Sequence, residues 1–167
     1  MKQFFLIFIL LTSLYAKEYK VVKVSDGDTI NVLDGKKKLK IRFYGIDAPE
    51  SKQNFGKFCT NVLKQKILGK FVSLEKKGVD TYKRQIAIVY LNNEDINAYM
   101  VKSGCAWAYT HYTKKYQALE QNARRQKVGL WIENNPENPY KFRKRNKHKR
   151  SESEEIMKIF SRIFKNA

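Results

Sequence analysis

Two short stretches hold acid at close spacing: Asp26 and Asp28 in "SDGDT", and Asp47 and Glu50 in "GIDAPE". Lysine and arginine number 34 against 16 aspartate and glutamate, so four carboxylates placed this way call for a reason. Carboxylates brought together repel unless a cation neutralises them, and hard oxygen donors suit Ca²⁺ or Mg²⁺. Arg42 lies just ahead of Asp47, and Arg84 follows "VDTYK". Brought together, the acids would form a site for a divalent cation held by oxygen ligands. A histidine-based metal site or nucleophile triad is poorly supplied, since only His111 and His148 exist. Each residue also has a plainer use. Asp26 can be a turn residue, Asp47 and Glu50 can serve a helix N-terminus, and Arg42 and Arg84 can be exposed strand charges. Spacing alone leaves both readings open.

The surrounding pattern says how such residues would be placed. Tyr19–Val24 and Thr29–Leu33 are rich in β-branched residues and partly alternate, as strands do. Lys37–Ile46 alternates Leu39, Ile41 and Phe43 against Lys38, Lys40 and Arg42, a half-buried third strand. Asp26-Gly27 and Asp34-Gly35 both read as hairpin dipeptides, because glycine accepts a positive φ. On a regular strand Asp26 and Asp28 would share a face. If the three strands are adjacent, their loops bring Asp26, Asp28, Asp47 and Glu50 to one rim. Pro49 then fixes the backbone for an amphipathic helix over 50–67, closed by Gly69. "KFVSLE" and "RQIAIVYL" supply two more strands, and Asp95 caps a short helix over 96–102. "CAWAY" reads as an extended piece, Thr113–Val128 as a charged helix, and Leu130 and Trp131 as an apolar plug behind it. The order is that of an α+β protein built mainly on a β-barrel: a five-stranded OB barrel with three α-helices. Other α+β layouts share the same periodicity.

A single compact domain suits 167 residues, and the 43% apolar and 13% aromatic content supports a real core. The formal charge of +18 predicts attraction to nucleic acid or an anionic membrane surface. Residues 1–16 read as a signal peptide: Lys2, an apolar run over Phe4–Leu11, and small Ala16 at the end. The run is short of the ~20 residues that span a bilayer. Export with cleavage is the expectation, with Leu14 a departure from the usual small residue before the cut, and an uncleaved anchor is the alternative. Cys59 and Cys105 can form one disulfide in an oxidising compartment or remain two small buried residues. The domain is expected over 17–140. Residues 141–150 then read as a solvated basic linker. Residues 151–167 read as an amphipathic helix capped by Ser151 with Glu154, able to dock on the domain, on a partner or on an anionic membrane surface.

"SDGDTINV", "KIRFYGIDAPE", "QNFGKFCT", "VDTYKRQIAIVYL" and "GLWIENNPENPYKFRK" occur in this order. Together they resemble the thermonuclease family, whose type member is staphylococcal nuclease, from about Tyr19 to Arg143. Asp-Gly-Asp-Thr alone is weak; joined to Arg-x(4)-Asp-x-Pro-Glu it is highly specific. The resemblance implies an OB barrel with three helices and a Ca²⁺-dependent phosphodiesterase that cuts DNA and RNA and leaves 3′-phosphates. It makes Asp28 and Asp47 the direct Ca²⁺ carboxylates, with the backbone carbonyl of Ala48 as a third ligand where the family usually has Thr. Asp26 becomes a supporting acid that does not touch the metal. Glu50 becomes the general base, and Arg42 and Arg84 the phosphate-binding arginines. Tyr82, Lys83 and Tyr112 fall at substrate-contacting positions, with Tyr109 a shifted alternative to Tyr112. Lys83 stands where the family often has Gly, which puts the loop aiming Arg84 in question.

The expectation is therefore a secreted or periplasmic nuclease that cuts DNA and RNA with little sequence preference and acts as a monomer, with the basic surface capturing the backbone. A non-catalytic nucleic-acid-binding OB module is the main rival. Such a module has no need to keep Asp28, Arg42, Asp47, Glu50 and Arg84 together. A membrane-associated basic protein is the weaker rival, resting on the two termini.

Overall fold

A computed structural model describes residues 17–165, so the segment read as an export signal lies outside the described residues. In chain order the elements are β1 (Glu18–Asp26), β2 (Thr29–Asp34), β3 (Lys37–Phe43), β4 (Ile46–Asp47), α1 (Gly56–Ile67), β5 (Phe71–Val79) and β6 (Gln85–Leu91). They continue with β7 (Glu94–Asp95), α2 (Ile96–Lys102), β8 (Trp107–Ala108), α3 (Gln117–Arg125), a 3₁₀ turn (Gly129–Ile132) and α4 (Pro139–Lys165).

Alternation builds the barrel. Val21, Ile30, Val32, Ile41 and Phe43 point inward and are buried, while Lys20 and Lys40 beside them face water. The long strands pair in the order β3-β2-β1-β5-β6, and β3 closes the sheet by pairing parallel to β6, with Arg42 opposite Ile86. This is the expected OB-like barrel of an α+β protein. Helix α1 lays Leu63 and Ile67 on the core, and Cys59 is joined to Cys105 by a disulfide. Of the two open readings of these cysteines, the bonded one holds.

Four α-helices are present among the described residues: the three expected of the barrel domain and α4, which takes in the stretch expected as a C-terminal helix and begins earlier. It runs unbroken through 141–150, so this stretch is helical rather than an irregular linker, and Ser151 sits inside the helix instead of capping it. An Arg150–Glu154 pair four residues apart bridges the position where a start was expected. Beyond it Ile156, Met157, Phe160 and Phe164 are exposed.

Helix α1 also begins later than expected. Gln53 N–H donates to the Glu50 carbonyl and Gly56 N–H to the Gln53 carbonyl, so 50–56 turns twice before the helix starts. Phe55 takes a left-handed φ of 62°, and a Cβ on Gly56 would lie 1.9 Å from the Glu50 carbonyl oxygen. Glu50 is thus displayed on a turn and does not serve a helix terminus.

Candidate active site

The SDGDT turn joins β1 to β2 with Asp26 opposite Thr29. Gly27 is needed there for room and not for a positive φ: a Cβ on it would meet Ala48 Cβ at 2.8 Å. This close approach presses the turn against the end of β4. Asp28 is bound on every side. Its Oδ2 accepts from Ala48 N–H at 2.6 Å, its Oδ1 from the Thr29 hydroxyl at 3.0 Å, and its carbonyl from Phe43 N–H at 2.8 Å. Asp26 stands behind it and accepts from the Asp28 N–H at 3.1 Å. Asp47 is fixed by the pairing of β4 with β8, opposite Trp107.

Asp28 and Asp47 are almost wholly buried, and Arg42 at the end of β3 lies between them. Its Nη2 donates to Asp47 Oδ1 at 2.7 Å. Its Nη1 forms an ion pair with Asp28 Oδ2. Burial pushes the Arg42 guanidinium below its ordinary pKa, and the charges of Arg84 and Arg143 add to this, against Asp47 and Asp26. Burial likewise raises the Asp26 carboxyl, with Thr29 and the charges of Arg42, Arg84 and Lys40 opposing it.

Arg84 is aimed by Asp80. Asp80 Oδ1 accepts from the backbone N–H of Tyr82 and of Arg84, both at 2.9 Å, and Oδ2 from Arg84 Nε at 2.6 Å. Lys83 adopts φ 59° within this turn, so the loop keeps a glycine-like shape despite the lysine. Asp80 was not singled out from sequence; an Asp at the start of a tight turn, able to accept from backbone N–H groups two and four residues on, was the available signal.

These residues line one cleft of about 430 Å³ that includes Asp26, Asp28, Arg42, Asp47, Ala48, Glu50, Tyr82 and Arg84. A smaller adjoining cavity of about 160 Å³ shares Arg42, Asp47 and Arg84 and brings in Tyr109 and Tyr112. Tyr112 packs 5.1 Å from Tyr109, and its carbonyl accepts from the Tyr44 hydroxyl. Lys83 lines neither of these two cavities.

The four carboxylates expected at one rim all line this cleft, although among the described residues no three acidic, histidine or cysteine side chains stand as a ready metal cage. Arginines alternate with the acids, and the third of them was missed from sequence. Arg143 in α4 donates through Nη1 and Nη2 to Asp47 at 3.1 and 2.9 Å, and through Nη1 to Glu50 at 2.8 Å. Burial works to lower its pKa, yet the bonds to Asp47 and Glu50 raise it. In sequence it is one of many cations in a basic run, 96 residues from Asp47.

A family model described as "Staphylococcal nuclease homologue" matches residues 40–133. The chain belongs to the staphylococcal nuclease family. An "Uncharacterized endonuclease" of Haemophilus influenzae is 43% identical over 131 residues, covering 77% of this chain and 74% of that protein. One from Escherichia coli O157:H7 is 40% identical over 129 residues, covering 75% and 84%. A "Micrococcal nuclease" of Shigella flexneri is 38% identical over 142 residues, covering 77% and 82%. Membership of the staphylococcal nuclease family carries nuclease as the coarse function of the site just described.

Proposed function

We propose that this protein is a Ca²⁺-dependent nuclease that hydrolyses phosphodiester bonds in DNA and RNA with little sequence preference. The observation that carries the reading is Arg42: a largely buried guanidinium ion-paired with two buried aspartates, in a cleft that also holds Arg84 and Glu50. The donor chemistry fits a hard cation. Asp28 and Asp47 are oxygen donors on one wall, and both face the same guanidinium, so they are near enough to share an ion. The Ala48 carbonyl would be a third ligand. Bound there, Ca²⁺ would polarise a phosphoryl oxygen and offset the charge that builds on the phosphate.

The chain's own groups do the rest. Arg42 and Arg84 present forks to the equatorial oxygens, where charge grows in the transition state and a preorganised donor counts most. Asp80 keeps Arg84 extended toward the cleft. Glu50, on its turn at the rim, accepts a proton from the attacking water. In-line displacement then breaks the P–O5′ bond and leaves the 3′-phosphate. Tyr82 and Tyr112 stand at the edge of the two cavities as surfaces for sugar or base.

The excess of Lys and Arg gives salt-sensitive, sequence-independent capture of the backbone. Export to an oxidising compartment is supported by the Cys59–Cys105 bond together with the apolar N-terminal run. The exposed apolar residues at the end of α4, beside its basic stretch, would settle on an anionic membrane surface. Digestion of plasmid DNA and of RNA with Ca²⁺, with Mg²⁺ or with chelator tests the reading. Cleavage stimulated by Ca²⁺ and abolished by chelator is expected. No cleavage with any metal would favour a binding module.

A further inference from the structure

Helix α4 is fastened to the loop that carries Glu50. The Gln53 side chain, itself nearly buried, accepts from Glu50 N–H at 3.2 Å and donates to the Glu137 carbonyl, just ahead of α4. Asn54 donates to Glu133 at 3.1 Å, Arg145 pairs with Glu137 at 2.9 Å, and Pro139 is buried. These ties fix the base of the helix. One turn in, Arg143 reaches both Asp47 and Glu50, yet its side chain is 43% exposed and lines both cavities.

The charges of the larger cleft decide what such a residue does. Lys40, Arg42, Arg84 and Arg143 face Asp26, Asp28, Asp47 and Glu50, so the ligand-free cleft is formally neutral. A divalent cation alone would leave it with two positive charges. A bound phosphodiester, itself an anion, offsets part of that charge, and Arg143, which lines the cleft and is more exposed than Arg42 (43% against 17%), is one of the cations that would face it. When Asp47 turns its oxygens to a cation, the Arg143 fork loses its bidentate partner while its backbone stays pinned beside the cleft. The free fork then has the next anion, the phosphodiester, within its reach.

We propose that Arg143 is a third arginine of this site, binding the scissile phosphodiester once the cation holds Asp47 and standing in for that cation in the ligand-free protein. This rests on the Ca²⁺-dependent nuclease reading and assigns α4 a catalytic part.

The test compares the full chain with Arg143→Ala and Arg143→Lys. Three quantities are read: Ca²⁺ affinity by calorimetry without nucleic acid, thermal midpoint, and kcat and KM on an oligonucleotide at saturating Ca²⁺. Arg143→Ala should bind Ca²⁺ about fivefold more tightly, as release of a competing, half-exposed ion pair implies. Its kcat should fall by about 10²-fold, the usual loss for one donor to the developing charge. Lysine, which keeps the charge without the fork, should lie between. A variant with a lower thermal midpoint but unchanged kcat and Ca²⁺ affinity would overturn the proposal and leave Arg143 a fastening for α4. Weaker Ca²⁺ binding in Arg143→Ala would overturn it too, since competition requires the opposite sign. If the unsubstituted chain neither binds Ca²⁺ nor cleaves, the underlying reading fails, and this proposal with it.

Discussion

Asp80 lines the smaller cavity but not the larger cleft, so Asp80→Ala leaves the acids and arginines of that cleft in place and reports on the aiming of Arg84. The substitution deletes a charge-assisted bond of 2.6 Å to Nε and the acceptor for two backbone N–H groups. A fully exposed pair would be worth under about 1 kcal/mol. Here the Asp80 and Arg84 side chains are only 16% and 24% exposed, so a loss of about 2 kcal/mol is expected. Arg84 remains in the chain but is no longer held toward the phosphate, and a misplaced group costs on the order of 10²-fold in kcat. A double-variant cycle gives the sharpest reading. If Asp80 acts through Arg84, then Asp80→Ala/Arg84→Ala should be no slower than Arg84→Ala alone. Independent effects would multiply to roughly 10⁴-fold. Steady-state kinetics on an oligonucleotide at saturating Ca²⁺ measures this, and a multiplicative double variant would refute the clamp. The stability side has a pH signature. Burial alone would raise the Asp80 carboxyl, but the backbone N–H and guanidinium of Arg84 hold it below the ordinary range. A depressed carboxyl contributes its stability above the unfolded value of about 4 and loses it as pH falls through the folded value. The gap in thermal midpoint between the original chain and Asp80→Ala should therefore be full at pH 7 and narrow below about pH 4.

Gly27→Ala places a Cβ 2.8 Å from Ala48 Cβ and should cost about 1–3 kcal/mol in urea unfolding, with Ala48→Gly in the same chain returning much of it. No return would mean that room beside Ala48 is not what demands glycine. The Cys59–Cys105 bond closes a loop across 46 residues, so reducing it should lower stability by about 4 kcal/mol on the chain-entropy account, read by unfolding with and without reductant. Removing residues 151–167 should abolish co-sedimentation with anionic lipid vesicles and leave the cleavage rate as it was. Equal sedimentation of the shortened chain would take the membrane contact away from this end of α4.

The barrel was readable because its signals are local. Leu39, Ile41 and Phe43 alternate with charge, and the Asp95 cap of α2 is satisfied three residues on by Ala98 N–H at 2.8 Å. The late start of α1 was hidden because Phe55, an ordinary helix-compatible residue, takes a left-handed turn imposed by contacts of Glu50 with Gln53 and Gly56. Gly27 shows the same limit: its residue type was noticed, but the neighbour that requires it, Ala48, lies in another loop. At α4 a local signal misled, since Ser151 and Glu154 have capping spacing yet lie inside a helix that Arg150 carries through. Arg143 is the clearest case. Its meaning comes from Asp47 and Glu50, more than ninety residues earlier, and nothing in the basic run marks it from its neighbours. Asp28, Arg42, Asp47, Glu50 and Arg84 were legible as a set through family resemblance, and the fold brings all five to one cleft.

The central claim is that this cleft hydrolyses phosphodiesters with Glu50 as the base. The most direct measurement is kcat for Ca²⁺-supported cleavage of plasmid DNA by the original chain and by Glu50→Ala, with folding checked by the thermal midpoint. Cleavage should fall by about 10²-fold or more while the fold persists, as loss of a general base requires. Equal rates in the two proteins would contradict the account and remove Glu50 from the chemistry.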